Sequence, residues 1–188
     1  MTALVGPSGC GKSTLLNLLG CLDLPTAGEV EIAGVVTQHL ADDALTALRR
    51  DQVGSIFQAF HLISGLTLAE NVAIPLQLAR VARPRVAEFV QAALARVGIL
   101  ELADVLPSQA SGGQQQRAAI ARAIVRPPAV LLADEPTGSL DSHNGALVMD
   151  VLRKLADDGQ TILLATHSAE AAAVCDRTLS LRDGCLIT

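Results

Sequence analysis

Short runs of apolar residues alternate along this chain with longer segments in which apolar residues recur every three or four positions. Short apolar runs indicate strands buried on both faces of a sheet, and the recurrence indicates amphipathic helices. The predicted strands are Thr2–Val5, Glu29–Ile32, Val53–Phe57, Val130–Asp134, Thr161–Thr166, Thr178–Leu181 and Cys185–Ile187. The predicted helices are Lys12–Leu22, Arg85–Val97, Gly113–Val125, Asn144–Asp157 and Ala169–Cys175. Between the last two strands, Asp183 and Gly184 form a pair typical of a tight β-hairpin turn.

The order of these elements predicts the fold class. Strands that alternate with helices favour an α/β fold with a mostly parallel sheet flanked by helices. Residues 59–126 contain helical patterns but no convincing strand, so we expect an inserted α-helical subdomain between two parts of an α/β core, residues 1–58 and 127–188. Pro127 and Pro128 mark the end of the insert, because consecutive prolines stop a helix. A chain of 188 residues predicts a single domain.

Composition narrows the class of protein. Hydrophobic residues make up 50% of the chain, but no stretch approaches the about 18–20 apolar residues that a membrane-spanning helix needs, so a soluble chain is expected. The formal net charge of −5 argues against a broad nucleic-acid-binding face, since such faces are rich in lysine and arginine. The four cysteines show no metal-binding spacing, which favours reduced thiols in a cytosolic compartment.

The segment GPSGCGKST carries the strongest chemical signal. It fits the pattern G-x-x-x-x-G-K-[ST] and lies between a predicted strand and a predicted helix. Small residues let backbone N–H groups converge on a phosphate at the positive end of the helix, where Lys12 would reach the terminal phosphates and Ser13 would ligate Mg²⁺. A glycine-rich turn that binds nothing is the alternative. The predicted binding residues are Gly6, Pro7, Ser8, Gly9, Cys10, Gly11, Lys12, Ser13 and Thr14.

The run VLLADEP predicts a buried strand that ends in two carboxylates. In parallel sheets ligands bind at the carboxyl ends of the strands, so Asp134 would hold Mg²⁺ through water. Glu135 would polarise the water that attacks the γ-phosphate. Alone, the two acids would also suit a loop that caps the next helix. The phosphate loop in the same chain favours the catalytic interpretation.

The stretch QASGGQQQRAAIARA places Ser111, Gly112 and Gly113 at the start of a predicted helix. A serine hydroxyl and bare backbone at a helix start make an anion-binding end. A capped helix with glycines for close packing is the alternative interpretation. The chain therefore has two phosphate-binding helix starts but a single lysine loop.

With these motifs, essentially the whole chain resembles the nucleotide-binding subunit of an ABC transporter. The phosphate loop, SGGQ and DEP follow the family's order, while IFQ supplies Gln58, GSLD supplies Asp141 and ATH supplies His167. Within the family, FQAFHLISGLTLAENVAIPL and ADEPTGSLDSHNG look most like the branch of lipoprotein-release, macrolide-efflux and cell-division transporters. The resemblance implies a P-loop NTPase fold of the RecA-like type that binds ATP and Mg²⁺.

The resemblance also implies roles for individual residues. Gln58 would contact Mg²⁺ and the attacking water, His167 would hydrogen-bond the γ-phosphate, and Asp141 would couple two sites across a dimer. Standing alone, Gln58 would more often be a surface residue, His167 would more often be structural, and Asp141 could cap the helix that follows. The implied residues are Glu135, His167 and Gln58 for catalysis, Ser13, Gln58 and Asp134 for the metal, and Ser111, Gly112, Gly113, Gln114 and Asp141 for nucleotide binding.

Partners follow from the same resemblance. Two copies of the chain would pair head to tail around two ATP molecules, each site joining the phosphate loop of one copy to Ser111 and Gly113 of the other. The helical subdomain would pass the movement to a transmembrane permease subunit near Phe60, His61 and Leu62, which alternatively belong to the subdomain's own core. The chain would then act at the cytoplasmic face of the cell membrane, with no nucleic-acid partner.

Two departures from the family pattern affect these expectations. The family begins some tens of residues earlier, with strands that carry an aromatic residue for stacking on adenine, whereas this chain has only Phe57, Phe60 and Phe89 and no Tyr or Trp. We therefore expect an N-terminally truncated chain that binds ATP more weakly, by roughly one to two decades if stacking contributes ~1–3 kcal/mol. Ala110 stands where the family usually has Leu before SGGQ.

Two other functions stay open from the sequence alone. One is an ABC-type ATPase that acts on DNA or on the ribosome, and the other is a nucleotide-binding fragment with little turnover. Proteins of the first kind tend to carry coiled-coil insertions, zinc-binding cysteines or two fused cassettes, and this sequence shows none of these patterns.

Overall fold

A computed structural model describes residues 1–187, and the chain within them divides into two units. The first unit contains Met1–Ser55, Pro128–Glu135 and the chain from Leu155 onward. The second contains Ile56–Pro127 and Pro136–Lys154. The chain therefore leaves the first unit twice and returns to it twice.

A six-stranded sheet organises the first unit. The strands of the structure are β1 (Thr2–Val5), β2 (Glu31–Ile32), β3 (Val35–Val36), β4 (Val53–Ile56), β5 (Val130–Asp134), β6 (Ile162–Thr166), β7 (Arg177–Arg182) and β8 (Cys185–Ile187). The order across the large sheet is β4-β5-β6-β1-β7-β8, and β2 and β3 form a separate antiparallel pair. Strands β5, β6, β1 and β7 run parallel, whereas β8 is antiparallel to β7. The predicted α/β class with a mostly parallel sheet is confirmed.

Helices connect these strands and form most of the second unit. They are α1 (Lys12–Leu19), α2 (Asp42–Gln52), α3 (Leu68–Leu78), α4 (Arg83–Arg96), α5 (Gly112–Ile124), α6 (Ser142–Asp157) and α7 (Ala169–Ala173), with 3₁₀ turns at Leu100–Leu102 and Pro107–Gln109. Within residues 1–187, none of them combines the length and the apolar character that a membrane crossing requires.

Helix α2 and strand β3 have no counterpart in the sequence prediction. Helix α2 is mostly polar and buries only Leu45 and Leu48, which pack with Cys21 and Ile32. Acidic residues occupy its first turn and arginines its last, an arrangement that stabilises the helix through its dipole. An apolar pattern this sparse is too weak to predict a helix, so the charge distribution is the more useful signal.

The C-terminal hairpin forms as its turn residues predict. Asp183 and Gly184 have φ of 50° and 79°, the left-handed values that a two-residue hairpin turn requires at both positions. Leu181 of β7 pairs with Leu186 of β8 and is buried, packing with Leu4 of β1. Strand β8 of the hairpin is therefore the edge strand on one side of the large sheet.

The second unit is built on contacts among α3, α4 and α5. Helix α3 was missed by the sequence prediction, although Thr67 and Glu70 form a capping box that marks its start. The side chain of Thr67 accepts a hydrogen bond from the Glu70 N–H at 3.2 Å, and the Glu70 carboxylate accepts one from the Thr67 N–H at 2.8 Å. Leu68, Val72 and Leu76 form the buried face of this helix.

Residues 136–154 lie in the second unit, whereas the sequence prediction places them in the α/β core. Helices α5 and α6, both in this unit, contact each other at the start of α6. A Cβ at Gly113 of α5 would collide with the side chain of Asn144 of α6, so the two helices approach each other at the glycine. The predicted subdomain boundaries at residues 59 and 126 stay a prediction.

Asn71 of α3 holds the loop that precedes its own helix. Its side chain is fully buried, and its Oδ1 accepts a hydrogen bond from the Ile63 N–H at 2.7 Å. Its Nδ2 lies 3.1 Å from the Ile63 oxygen, 3.1 Å from the Leu66 oxygen and 2.9 Å from the Thr67 oxygen. One amide therefore pairs the Ile63 N–H and the Leu66 oxygen, and it adds a second hydrogen bond to the Ile63 and Thr67 oxygens, which also accept backbone N–H groups.

We expect Asn71→Leu to lower the free energy of unfolding by about 2–3 kcal/mol, because buried backbone groups of the loop lose their partner. Urea titration followed by circular dichroism measures the change. Gln77→Leu on the exposed face of α3 is the matched control and is expected to change stability by less than about 0.5 kcal/mol. Equal unfolding midpoints for Asn71→Leu and the wild type would contradict the assigned role.

Candidate functional site

The glycine-rich loop connects β1 to α1, and its glycines have separate structural roles. Gly9 and Gly11 have φ of 78° and 104°, conformations that residues with a side chain rarely adopt. A Cβ at Gly6 would overlap the carbonyl oxygen of Leu181 on β7. Gly11 is also the N-cap of α1 and has no side chain to bond the first N–H groups of the helix. These N–H groups are therefore oriented to bind an anion.

Lys12 lies folded against the loop that precedes it. Its Nζ donates hydrogen bonds to the carbonyl oxygens of Gly6 at 2.8 Å and Pro7 at 3.1 Å, and the residue is only 9% exposed. The ammonium group is thus held at the start of α1, where the helix dipole also favours negative charge. A positive side chain and unbonded helix N–H groups at one place suit a phosphate chain.

Cys10 contributes to the loop through packing. Its side chain is buried with Leu4 and Leu181, so the thiol faces the core and not the loop surface. The carbonyl oxygen of Cys10 accepts a hydrogen bond at 3.0 Å from the N–H of Gly184 in the hairpin turn. The hairpin turn is therefore hydrogen-bonded to the backbone of the phosphate loop at Cys10.

Ser13 and Asp134 are brought together as the sequence prediction requires for a metal site. The hydroxyl of Ser13 donates to Oδ2 of Asp134 at 2.9 Å, at the carboxyl end of β5. A hydroxyl and a carboxylate fit Mg²⁺, which takes one or two protein oxygens and keeps several waters. No cluster of three or more His, Cys, Asp or Glu side chains suited to a metal occurs among residues 1–187.

Glu135 follows β5 in a strained conformation. Its φ is 47°, in the left-handed region that costs a residue with a side chain of the order of 1–3 kcal/mol. Its N–H donates to the carbonyl oxygen of Ala165 on β6 at 2.9 Å, which holds the backbone in place. Strain of this kind is common where a side chain must be aimed at a reaction.

His167 contacts the carboxylate of Glu135. Its Nδ1 lies 2.8 Å from Oε1 of Glu135, and its backbone N–H donates to Oε2 at 3.4 Å. The Glu135 side chain is 17% exposed and that of His167 is 72% exposed. His167, which directly follows β6, thus holds the Glu135 carboxylate, and this carboxylate stays partly accessible to water. The structure brings these two predicted catalytic residues together.

The start of α5 is capped by its own residues, as in the alternative interpretation of the sequence, and anion binding there stays a prediction. Ser111 is the N-cap, its hydroxyl accepts from the Gln114 N–H at 3.3 Å, and its own N–H donates to Oε1 of Gln114 at 2.8 Å. The side chain of Gln114 is therefore engaged in a capping box. Gly112, which follows the cap, is half-buried, whereas Gly113 is buried against the side chain of Asn144.

Asp141 caps the start of α6. Its Oδ1 accepts from the Asn144 N–H at 2.9 Å, and its Oδ2 accepts from Nδ2 of Asn144 at 2.6 Å. These two hydrogen bonds lower the pKa of the Asp141 carboxyl, since they favour its charged form. Asn144 therefore contacts both Asp141 and, through close packing, Gly113.

Gln58 is exposed and lies in the second unit, two residues after β4. Lys12, Ser13, Asp134, Glu135 and His167 lie in the first unit, at or just beyond strands β1, β5 and β6. Ser111, Gly112, Gly113, Gln114 and Asp141 lie in the second unit, around the starts of α5 and α6. The functional role of each residue stays a prediction.

Sequence reasoning missed two polar side chains of α5, one buried and one half-buried. Gln116 is fully buried, and the guanidinium of Arg122 is buried enough that its pKa is lowered by desolvation. Gln116 lies on the same helix face as Gly113, Ile120 and Ile124, all of them buried. A polar residue in an otherwise apolar helix stripe is the signal that could have identified it.

Comparisons with known proteins agree with these motifs. The family model described as ABC transporter matches residues 1–138. The macrolide export ATP-binding/permease protein MacB of Salmonella choleraesuis (strain SC-B67) is 49% identical over 187 residues, which cover 100% of this chain and 29% of that protein. MacB 2 of Yersinia pestis bv. Antiqua (strain Antiqua) is 48% identical over 100% of this chain and 28% of its own length. The chain thus spans under a third of the length of these curated relatives.

Solved structures show the same fold. A dimeric post-hydrolysis state of the ATP-binding cassette MJ0796, bound to ADP and Pi, superposes with a TM-score of 0.87 and 43% identity, covering 98% of this chain and 82% of that one. A dimeric structure of MJ0796, described as a bacterial ABC transporter cassette, gives a TM-score of 0.87 and 44% identity over the same shares. The predicted P-loop NTPase fold is therefore confirmed, and the chain belongs to the ABC transporter family.

Proposed function

We propose that this chain binds ATP with Mg²⁺ and hydrolyses it as the nucleotide-binding part of a membrane transporter. The observation that carries the proposal is the alignment of three groups at the carboxyl ends of the neighbouring parallel strands β1, β6 and β5. They are the lysine loop, the Ser13–Asp134 pair and the Glu135–His167 pair. Phosphate binding, metal binding and activation of water thus have residues of suitable chemistry at one edge of a rigid sheet.

Each residue has a role that follows from its contacts. The loop N–H groups and Lys12 bind the phosphate oxygens, and Ser13 and Asp134 would hold Mg²⁺. The metal, when bound, supplies positive charge that neutralises the transferring phosphoryl group. Oε1 and Oε2 of Glu135, fixed by His167, orient the attacking water and accept its proton.

Two copies of the chain would complete each site. Ser111, exposed at the start of α5, and the half-buried backbone of Gly112 would offer a helix start to an anion that the phosphate loop of the same copy does not require. The dimeric state of both MJ0796 structures supports a paired arrangement. In the proposed pair, the helix start of one copy binds the γ-phosphate held by the other, and Asp141 lies beside the same interface.

The transporter partner is proposed from the relatives. The printed names of the MacB proteins join an ATP-binding part to a permease that exports macrolides. This chain would accordingly work at the cytoplasmic face of the membrane with an export permease. Of the three residues expected at this contact, His61 is exposed and Phe60 and Leu62 are half-buried. Together with exposed Ile63, in the segment between β4 and α3, they offer the surface that would meet it.

Mixing two inactive variants tests the shared site. Lys12→Ala damages only the phosphate loop and Ser111→Arg damages only the helix start, so neither variant alone should hydrolyse ATP. An equimolar mixture should recover up to about a quarter of the wild-type rate, because half of the dimers are mixed and each of those has one intact site. Phosphate release measured by a coupled assay gives the rate.

The control mixture combines Lys12→Ala with a chain that carries both substitutions, since this pair cannot assemble an intact site. It should show no recovery. A test mixture that stays as inactive as this control would contradict the two-copy site.

A further inference from the structure

Side chains of helix α5 hold the backbone of the segment Phe57–His61. Nε2 of Gln116 donates to the carbonyl oxygen of Phe57 at 3.1 Å. Two turns further along the helix, Arg122 donates to the carbonyl oxygens of Phe60 at 3.0 Å and His61 at 2.6 Å. The helix that begins at Ser111 is therefore bonded to both ends of the segment that contains Gln58.

Gln116 makes a second contact, to the peptide that follows Glu135. Its Nε2 also donates to the carbonyl oxygen of Pro136 at 2.7 Å, and the side chain is fully buried. Both neighbours are acceptors, so the amide nitrogen must face them, and Oε1 has no partner among the described residues. A glutamate would place a carboxylate against two carbonyl oxygens, and a methionine would offer no donor. The contact thus requires a neutral side chain with two N–H groups.

Arg122 is a half-buried cation whose guanidinium donates hydrogen bonds to backbone oxygens. Burial lowers its pKa, and the two hydrogen bonds to Phe60 and His61 offset part of the desolvation cost. His61 has φ of 49°, a left-handed turn, and its ring lies 5.1 Å from that of Phe57. The segment therefore has a defined shape that the arginine fixes at its far end.

We propose that Gln116 and Arg122 are positioning residues for ATP hydrolysis, which together make the Phe57–His61 segment and helix α5 move as one body. The inference rests on the proposed ATPase function. The amide of Gln116 holds two carbonyl groups, that of Phe57 next to Gln58 and that of Pro136 next to Glu135. Through the helix, a displacement of the segment is carried to Ser111 at its start.

Gln116→Met tests the amide, because methionine keeps the length of the side chain and removes both donors. We expect kcat for ATP to fall about 10–100-fold, the cost of misplacing a reacting group by about 1 Å. The KM for ATP should change by less than about threefold, since the phosphate-binding residues are untouched. Hydrogen–deuterium exchange of amides 57–61 should become faster.

Two controls separate positioning from folding. The amide of Gln160 donates to the carbonyl oxygens of Pro128 at 3.0 Å and Thr161 at 3.2 Å, none of them beside a predicted site residue, so Gln160→Met removes equivalent bonds elsewhere. Ile120→Ala removes buried packing from α5 itself. Both should keep kcat within about threefold of the wild type at a temperature where they are folded.

Arg122 provides an independent test in case Gln116→Met does not fold. Arg122→Lys keeps a cationic donor and should retain most of kcat, whereas Arg122→Met should lose about tenfold. The inference is overturned if kcat for Gln116→Met equals that of Gln160→Met, or if Arg122→Met is as active as Arg122→Lys. A wild-type chain with no ATP hydrolysis would instead overturn the proposed function.

Discussion

Replacing Glu135 with glutamine is expected to lower kcat for ATP hydrolysis by about 10²–10⁴-fold, the range that loss of a general base produces. Glutamine keeps the size of the side chain and the polar contact to His167 but cannot accept the proton of the attacking water. ATP binding should persist, so the variant should accumulate as an ATP-bound dimer. Size-exclusion chromatography with and without ATP and Mg²⁺ measures the dimer, and phosphate release measures kcat.

Glu88→Gln on the exposed surface of α4 is the matched control for Glu135→Gln. It makes the same chemical change away from every predicted site residue, and it should leave both turnover and the oligomeric state unchanged. Turnover of Glu135→Gln equal to that of this control would remove Glu135 from the role of base.

Lys12→Ala is expected to raise the dissociation constant for ATP at least about a hundredfold, or about 2.8 kcal/mol, which abolishes binding at ordinary nucleotide concentrations. The reason is the position of Nζ, held over the loop by the carbonyl oxygens of Gly6 and Pro7 at the start of α1. Charge-assisted bonds to phosphate oxygens are stronger than neutral ones, so no other group in the loop replaces them. Titration with a fluorescent ATP analogue measures the constant.

The sequence contains one other lysine, Lys154, on the exposed surface of α6. Lys154→Ala is therefore a charge-matched control and should bind ATP like the wild type. Thermal unfolding of Lys12→Ala shows whether the loop stays folded without its lysine. Undiminished affinity in a folded Lys12→Ala variant would contradict the phosphate-loop assignment.

Local chemistry made much of the fold and site predictable. The phosphate loop needs glycines for left-handed turns and for a close approach to Leu181. All of these glycines lie within nine consecutive residues, so the loop can be recognised from the sequence. The strand that ends at Asp134 is apolar throughout, and the hairpin turn at Asp183 and Gly184 follows from two residue types. Turns, loops and strands that are determined by residues adjacent in the sequence can therefore be predicted from it.

Elements with weak local patterns were not predictable in the same way. Helix α2 buries few apolar side chains and depends on charges at its ends, while α3 contains Pro75, which argues against a helix until its capping box is recognised. Residues 136–154 lie in the second unit, where Asn144 of α6 packs against Gly113 of α5. A contact of this kind depends on which helices lie close together in three dimensions. It produces no periodic pattern of apolar residues in the sequence.

The polar contacts of α5 show the same limit at the site. Gln116 reaches Phe57 across 59 positions of the chain, and Arg122 reaches His61 across 61. Side chains that donate to backbone carbonyls place no demand on the identity of the accepting residue. A sequence pattern therefore identifies the donor as unusual without naming its partner.

The bond between Gly184 and Cys10 has a practical consequence for following the protein in solution. Cys10 and Cys21 are buried and Cys175 is half-buried, whereas Cys185 is exposed. Cys185 directly follows Gly184, which is hydrogen-bonded to the phosphate loop. A thiol-selective fluorophore would attach preferentially at this position. The sequence thus contains an exposed thiol next to Gly184, the residue bonded to the phosphate loop. A dye on this thiol would report ligand-induced change at the loop without an engineered cysteine.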